Sequence, residues 1–309
     1  MSGAELARSW LGTRASRCAH RRRARLPGEM LFLVPAALYL AALAAYPFVQ
    51  LVHMGLSQVT SDNIFKAWPF VGLDGVRSVA STADFRQATV STLIYVALVV
   101  GVQLAGGLAA AVVLWRGGRF AGFTLAVMVF GWALPGLING TAWRFLLDKR
   151  GMVDSILGVF HVPPVYWLVD GHLPLISVAL VNAWVGVPFA TLVYRAALLD
   201  LPTDVLASAD VDGARPWQVL RHIVVPLLKP ATLVLTVVSV VYAFKSFDFI
   251  YIMTFGGPGT ASTTLPFLSY RLAFELYKYS QGAAVALITV AIVLVLSVFY
   301  IRQVRREES

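Results

Sequence analysis

At 309 residues, with 58% hydrophobic and 13% charged side chains and a mean hydropathy of +0.74, the chain is too apolar for a soluble domain. Its net charge of +9 could suit nucleic acid, but the basic residues cluster at the flanks of apolar runs, which points to a membrane and away from a nucleic-acid partner. The single cysteine, Cys18, excludes a disulfide framework and a cysteine metal site.

Residues 1–29 read as a basic tail carrying seven arginines between Arg8 and Arg25. The first apolar run, 30–52, is too long for a signal-peptide core and lacks a small-residue cleavage site after it, so it is expected to stay as a membrane anchor. A spanning helix needs about 20 apolar residues, because each adds about 1.5 Å against about 30 Å of hydrocarbon. Five more runs meet that length, at 88–114, 120–146, 173–195, 226–254 and 280–301. The expected fold is therefore all-α: a polytopic bundle of six transmembrane helices over 30–301, followed by a short basic tail, 302–309.

With both termini placed in the cytoplasm, sixteen basic residues fall inside and eight fall in or near the three outer loops. Lys245 lies within a span. The outer segment 53–87 contains "AWPFVGLDGVRSV", whose aromatics and turn residues suit a fold over the membrane surface. In the second outer loop, 147–172, the paired prolines of "HVPPVYW" predict an extended turn. Small residues in "GVQLAGGLAAA" (101–111) and "GLING" (136–140) predict close helix approach. Prolines 47, 135, 188 and 230 lie in or at the edges of spans, where neighbours or water must satisfy the carbonyls they free.

Ionisable and polar groups inside the spans are the candidates for a solute pathway, since such groups normally face the bundle interior. Lys245 and Asp248, three residues apart in the fifth span, are predicted to pair on one face. Asn182 and Trp184 in the fourth span, with Tyr242 and Tyr251 in the fifth, offer amide and aromatic surfaces suited to a polyhydroxylated ligand.

Catalytic patterns are absent. There is no H-E-x-x-H, no G-x-S-x-G and no Cys/His cluster, and the five histidines are scattered. "FGGPGTASTT" (255–264) resembles a phosphate loop only superficially: it lacks the lysine, and the topology puts it outside the cell. It is expected to be a turn from the fifth span into a re-entering outer helix. No cofactor and no metal is expected on this chain.

The segment 202–226 is the polar exception. Thr203 or Asp204 is placed to cap a first helix, with Val205, Leu206 and Ala209 on one face. Gly213 suits the positive φ of a helix end, and Pro216 the first position of a second helix. Arg215, just before it, is a poor cap, so packing is expected to start that helix. Trp217, Leu220 and Val224 recur three and four residues apart as an apolar stripe, and Pro226 ends the unit. This helix–Gly–helix loop faces the cytoplasm, where it suits docking onto a cytosolic partner.

The stretch "PTDVLASADVDGA" (202–214), closed by "IVVP" (223–226), resembles the EAA loop of membrane subunits of binding-protein-dependent ABC importers. It is closest to the carbohydrate group that includes the maltose and glycerol-phosphate permeases. "AAYPFVQLVHMGLSQ" (44–58), "FVGLDG" (70–75) and "FDFIYIMTFGGPGTASTTLPFLSYRLAF" (247–274) are similar to other parts of that family. The resemblance implies a permease subunit in a bacterial inner membrane, coupled to a cytosolic ABC ATPase dimer that carries ATP and Mg. It also implies a second, usually non-identical permease subunit, an extracytoplasmic solute-binding protein, and a sugar or sugar-like solute. The coupling residues it implies are Asp204, Leu206, Ala207, Ala209, Asp210 and Asp212, then Gly213, Trp217, Leu220 and Pro226. One departure stands out: the family's loop glutamate is Ala207 here, and Asp204, Asp210 or Asp212 is left to substitute. The competing reading, a self-sufficient secondary transporter or channel, is weakened because no inverted half-to-half repeat is visible.

Overall fold

A computed structural model describes residues 29–115 and 117–307; the arginine-rich tail up to residue 28, with Cys18, lies outside the described residues. The described chain is helical, and its one β feature is an isolated antiparallel bridge between Ser57 and Phe70. It divides into two compact units, one ending at Gln50 and the other beginning at Leu51. The first helix, α1 (Glu29–Gly55), is apolar along its length and contains Pro35 and Pro47.

In the second unit, short helix α2 (Asp74–Ala80) leads into α3 (Ala83–Leu114). The Thr82 hydroxyl accepts the Phe85 N–H at 3.2 Å and caps α3. The central pair of the bundle is α3 against α7 (Leu173–Leu199). Their close approach depends on Gly107, where a Cβ would overlap Ala190 of α7. Around the pair, Tyr95, Val99, Val178, Ala183, Phe244 and Ile250 form the main core. Lipid tails are as apolar as these side chains, so packing and internal hydrogen bonds hold the bundle together. Large apolar residues such as Leu93, Phe123, Phe130 and Val295 point outward, as a lipid-facing surface requires.

Four helices are long and apolar enough to span a membrane: Leu33–Gly55, Ala83–Leu114, Leu173–Leu199 and Tyr279–Tyr300. The runs predicted as single spans at 120–146 and 226–254 are broken instead. Helices α4 (Arg119–Ala133) and α5 (Gly136–Leu146) meet at 100°. Pro135 has no N–H to continue the ladder, and the Asn139 amide donates to the freed carbonyls of Gly131 (3.3 Å) and Leu134 (3.2 Å). After α6 (Met152–Val159), α7 and the loop helices, α10 (Lys229–Lys245) starts from a 65° bend. It stops at Ser246, and α11 (Asp248–Met253) follows. The described residues thus offer up to six candidate spans if each bent pair counts as one.

Residues 255–264 form the expected turn, with Phe255, Gly256 and Gly259 at positive φ and a cis Gly257–Pro258 bond. It delivers the chain to α12 (Leu265–Tyr270), whose first N–H is accepted by Thr92 Oγ1 of α3 at 2.8 Å. A π-helical turn (Arg271–Glu275) precedes the last helix, α13 (Tyr279–Glu307), which continues through most of the basic C-terminal segment.

Candidate functional site

The 202–226 loop folds as two helices joined at a glycine. The first, α8 (Thr203–Val211), is preceded by Pro202, so neither Thr203 nor Asp204 caps it; both lie inside the first turn. The Ser208 hydroxyl bonds back to the Asp204 carbonyl at 2.8 Å. At the other end Gly213 takes φ +71°. The Ala214 N–H then reaches the Ala209 carbonyl (3.0 Å) and the Gly213 N–H the Asp210 carbonyl (3.1 Å), closing a Schellman-type end.

The second helix, α9 (Pro216–Leu227), begins at Pro216 as the sequence predicts. Packing is not its only start signal. The Gln218 side chain accepts the Arg215 N–H at 2.8 Å, the backward half of a capping box. A π-helical turn over Leu220–Val224 widens α9 before it bends at Leu228 into α10.

The stripe from Trp217 to Val224 is graded in depth. Val224 and Ala209 are buried, while Leu206, Val219 and Leu220 pack on Tyr194, Leu198, Leu228 and Leu235 at the ends of α7 and α10. Trp217 is 66% exposed and Val211 87% exposed. Val205, expected on one face with Leu206 and Ala209, is exposed where Leu206 is half-buried and Ala209 buried. Ala207 is exposed too, flanked one turn away on either side by the exposed carboxylates of Asp204 and Asp210. Among the described residues no ion pair engages Asp204, Asp210 or Asp212. Leu206, Asp210, Trp217 and Leu220 line a groove of about 570 Å³ whose far wall is Val112 and Trp115 at the end of α3. Trp115 went unnoticed in the sequence, although its place at the end of a span beside a glycine turn was a usable signal.

The pathway candidates separate into two groups. Asn182 is half-buried, and its amide donates to Tyr95 Oη (2.7 Å) and Ser246 Oγ (3.0 Å); those two hydroxyls lie 3.1 Å apart. This polar seam joins α3, α7 and the break after α10. Tyr95 and Ser246 were not predicted. The signal for Ser246 lay in its position beside Lys245, where a polar pair interrupts an apolar run. Tyr251 stacks on Phe247 at 5.2 Å and meets Tyr270 edge-on at 5.5 Å, in an aromatic run that continues to Phe274.

Trp184, Tyr242, Lys245 and Asp248 are exposed. Trp184 meets Trp143 edge-on at 5.3 Å. The expected Lys245–Asp248 pair does not form, because α10 ends at Lys245 and the two side chains no longer share a helical face. Lys245 Nζ sits 5.2 Å over the Tyr242 ring. Asp248 lies beside the start of α5, its Oδ2 3.5 Å from where a Gly136 Cβ would stand, so its charge faces the positive end of that helix. Among the described residues no cluster of His, Cys, Asp or Glu could hold a metal ion.

Residues 103–307 match the family described as binding-protein-dependent transport system inner membrane component. The chain is 30% identical over 235 residues to the trehalose/maltose transport system permease protein MalF of Thermococcus litoralis, covering 76% of this chain and 79% of that one. It is also 30% identical to the diacetylchitobiose uptake system permease protein DasB of Streptomyces coelicolor, covering 96% and 92%. In fold it resembles a chain of a bacterial ABC transporter involved in the import of the acidic polysaccharide alginate, with a TM-score of 0.75 at 20% identity and 98% of both chains covered.

Proposed function

This chain belongs to the binding-protein-dependent transport system inner membrane components, and on that premise we propose that it is a permease subunit of an ATP-driven sugar importer. Trehalose, maltose and diacetylchitobiose in the names of its relatives support a sugar as solute. In this reading a second, non-identical permease completes the path, and an extracytoplasmic binding protein delivers the solute. A cytosolic ATPase dimer holds ATP and Mg, and this chain supplies no catalytic step. Both termini lie in the cytoplasm of a bacterial cell.

The observation that carries the reading is the loop. Its apolar root is packed on α7 and α10, its Trp217 ring stands in the open, and its second helix runs through one bend into a span. A rigid, partly apolar projection of this kind suits a partner that pushes on the bundle. Asp204 and Asp210, one turn either side of Ala207, supply the acid chemistry that the missing glutamate supplies in the family. Asn182, Tyr95, Ser246 and the Tyr251 aromatics form the stretch of pathway this chain contributes.

The test is reconstitution in proteoliposomes of the complex with its ATPase, second permease and binding protein, followed by uptake of labelled trehalose, maltose and diacetylchitobiose. ATP-dependent uptake of one of them is expected. Solute movement by the isolated chain without an ATPase would replace this reading with that of a secondary transporter or channel.

A further inference from the structure

At the opposite end of α3 from the loop, a cavity of about 400 Å³ lies where residues 57–60, the start of α2 and the junction 277–281 meet. We infer that this cavity is a second, peripheral saccharide site, separate from the polar seam, and the inference rests on the proposed sugar reading. Its volume falls within the range of ligand pockets, about 300–1,000 Å³, and suits a small saccharide.

Three observations carry the inference. Ser57 is 1% exposed and lines the cavity, yet among the described residues its hydroxyl has no hydrogen-bond partner, an unusual state for a buried polar group. Tyr277 is held at φ +54°, a conformation that non-glycine residues adopt rarely and often at functional sites. Its ring is left 59% exposed at the rim, where it offers a flat face to the C–H surface of a sugar ring. The amides of Gln58 and Gln281 then give donors and acceptors in equal supply, matching hydroxyls that both donate and accept. Asp74, which also pairs with Arg77 at 4.0 Å, and Lys278 oppose each other in sign among the lining residues. One is an acceptor and the other a donor for the same class of neutral polyol.

The test uses the assembled complex in nanodiscs without binding protein or ATP, with maltose, trehalose and diacetylchitobiose as probes and glycine betaine as a zwitterionic counterprobe. Saturation-transfer NMR reads binding, and ATP-dependent uptake is measured on the same preparation with binding protein added. At least one sugar is expected to bind. Gln281→Ala and Tyr277→Asn, the latter keeping a residue that tolerates positive φ, each weaken that binding about fivefold, the scale of one lost hydrogen bond or ring contact. Binding of no sugar, sugar binding unmoved by both variants, or betaine binding equally well with the same sensitivity would each overturn the inference. If uptake proceeds while the variants leave binding unmoved, only the peripheral site falls. If the wild-type complex takes up no sugar, the transport reading falls and the inference with it.

Discussion

Gly213 is the hinge between α8 and α9, and replacing it isolates backbone conformation from packing. Its φ of +71° lies in the left-handed region, which costs an L-residue about 1–2 kcal/mol. A Cβ built there meets nothing within 4 Å, so Gly213→Ala introduces strain without a clash. Gly213→Val adds β-branched crowding on the backbone, whereas Asn is the residue that best tolerates this region. If the chain relieves the strain by rotating out, it loses the two closing bonds, Ala214 N–H to the Ala209 carbonyl and Gly213 N–H to the Asp210 carbonyl. Each is worth about 0.5–1.5 kcal/mol. Rotation out unhitches α8 from α9, and the strain biases the chain towards it by about tenfold for every 1.4 kcal/mol. The assay is uptake per ATP hydrolysed in proteoliposomes. The expected order is wild type, Asn, Ala, Val, with Val down about tenfold while the chain still inserts and assembles. A Val variant with the wild-type ratio, or an Asn variant as damaged as Val, would refute the reasoning.

Trp217→Asp removes an exposed aromatic anchor worth about 1.5–3 kcal/mol of buried surface, so ATPase association measured by size-exclusion or biolayer binding is expected to weaken about 10- to 100-fold. An unchanged affinity would move the docking surface elsewhere. Asn139→Leu strips the Gly131 and Leu134 carbonyls of their donor at the break between α4 and α5. With about 1–3 kcal/mol for each orphaned group, thermal unfolding of the nanodisc-embedded complex should shift down clearly, and an unchanged midpoint would show that the break is satisfied otherwise. Gly107→Val forces α3 off Ala190 and is expected to destabilise by about 1–3 kcal/mol, whereas Gly101→Val on the same helix meets open space and should be silent. Equal melting of the two variants would refute the close-approach account.

Length and hydropathy located every apolar run, because a continuous helix of about 20 apolar residues leaves a plain trace in composition. The glycine and proline chemistry at Gly213 and Pro216 was equally legible, since few residues suit those backbone positions. The breaks were not. Pro135 marks the first, but only the fold brings the Asn139 amide within reach of two carbonyls and makes a 100° bend tolerable in lipid. The break at Ser246 has no proline at all, and its hydroxyl finds Tyr95 and Asn182, respectively 151 and 64 residues away in sequence. Local pattern carries no information about such partners. The Lys245–Asp248 expectation failed with it: it assumed a continuous helix, and the helix ends at Lys245, before the serine that bonds across the bundle.

That interruption links the two parts of the site. The loop helix α9 passes through the Leu228 bend into α10, and α10 ends at the serine that completes the polar seam. Seventeen helical residues separate bend and break, about 25 Å of rod. A helix of this length resists bending, so in the proposed reading a tilt passed through the Leu228 bend to the start of α10 would reach Ser246 as a displacement. There it meets hydrogen bonds of 3.0 and 3.1 Å, whose strength falls steeply with distance and angle. A flexible loop in place of α8 and α9 would dissipate the tilt, and a straight span in place of the break would leave Asn182 and Tyr95 without their third partner. In the proposed reading the rigid loop and the broken span are complementary: one would deliver movement, and the other would convert it into a rearrangement of polar groups within the bundle.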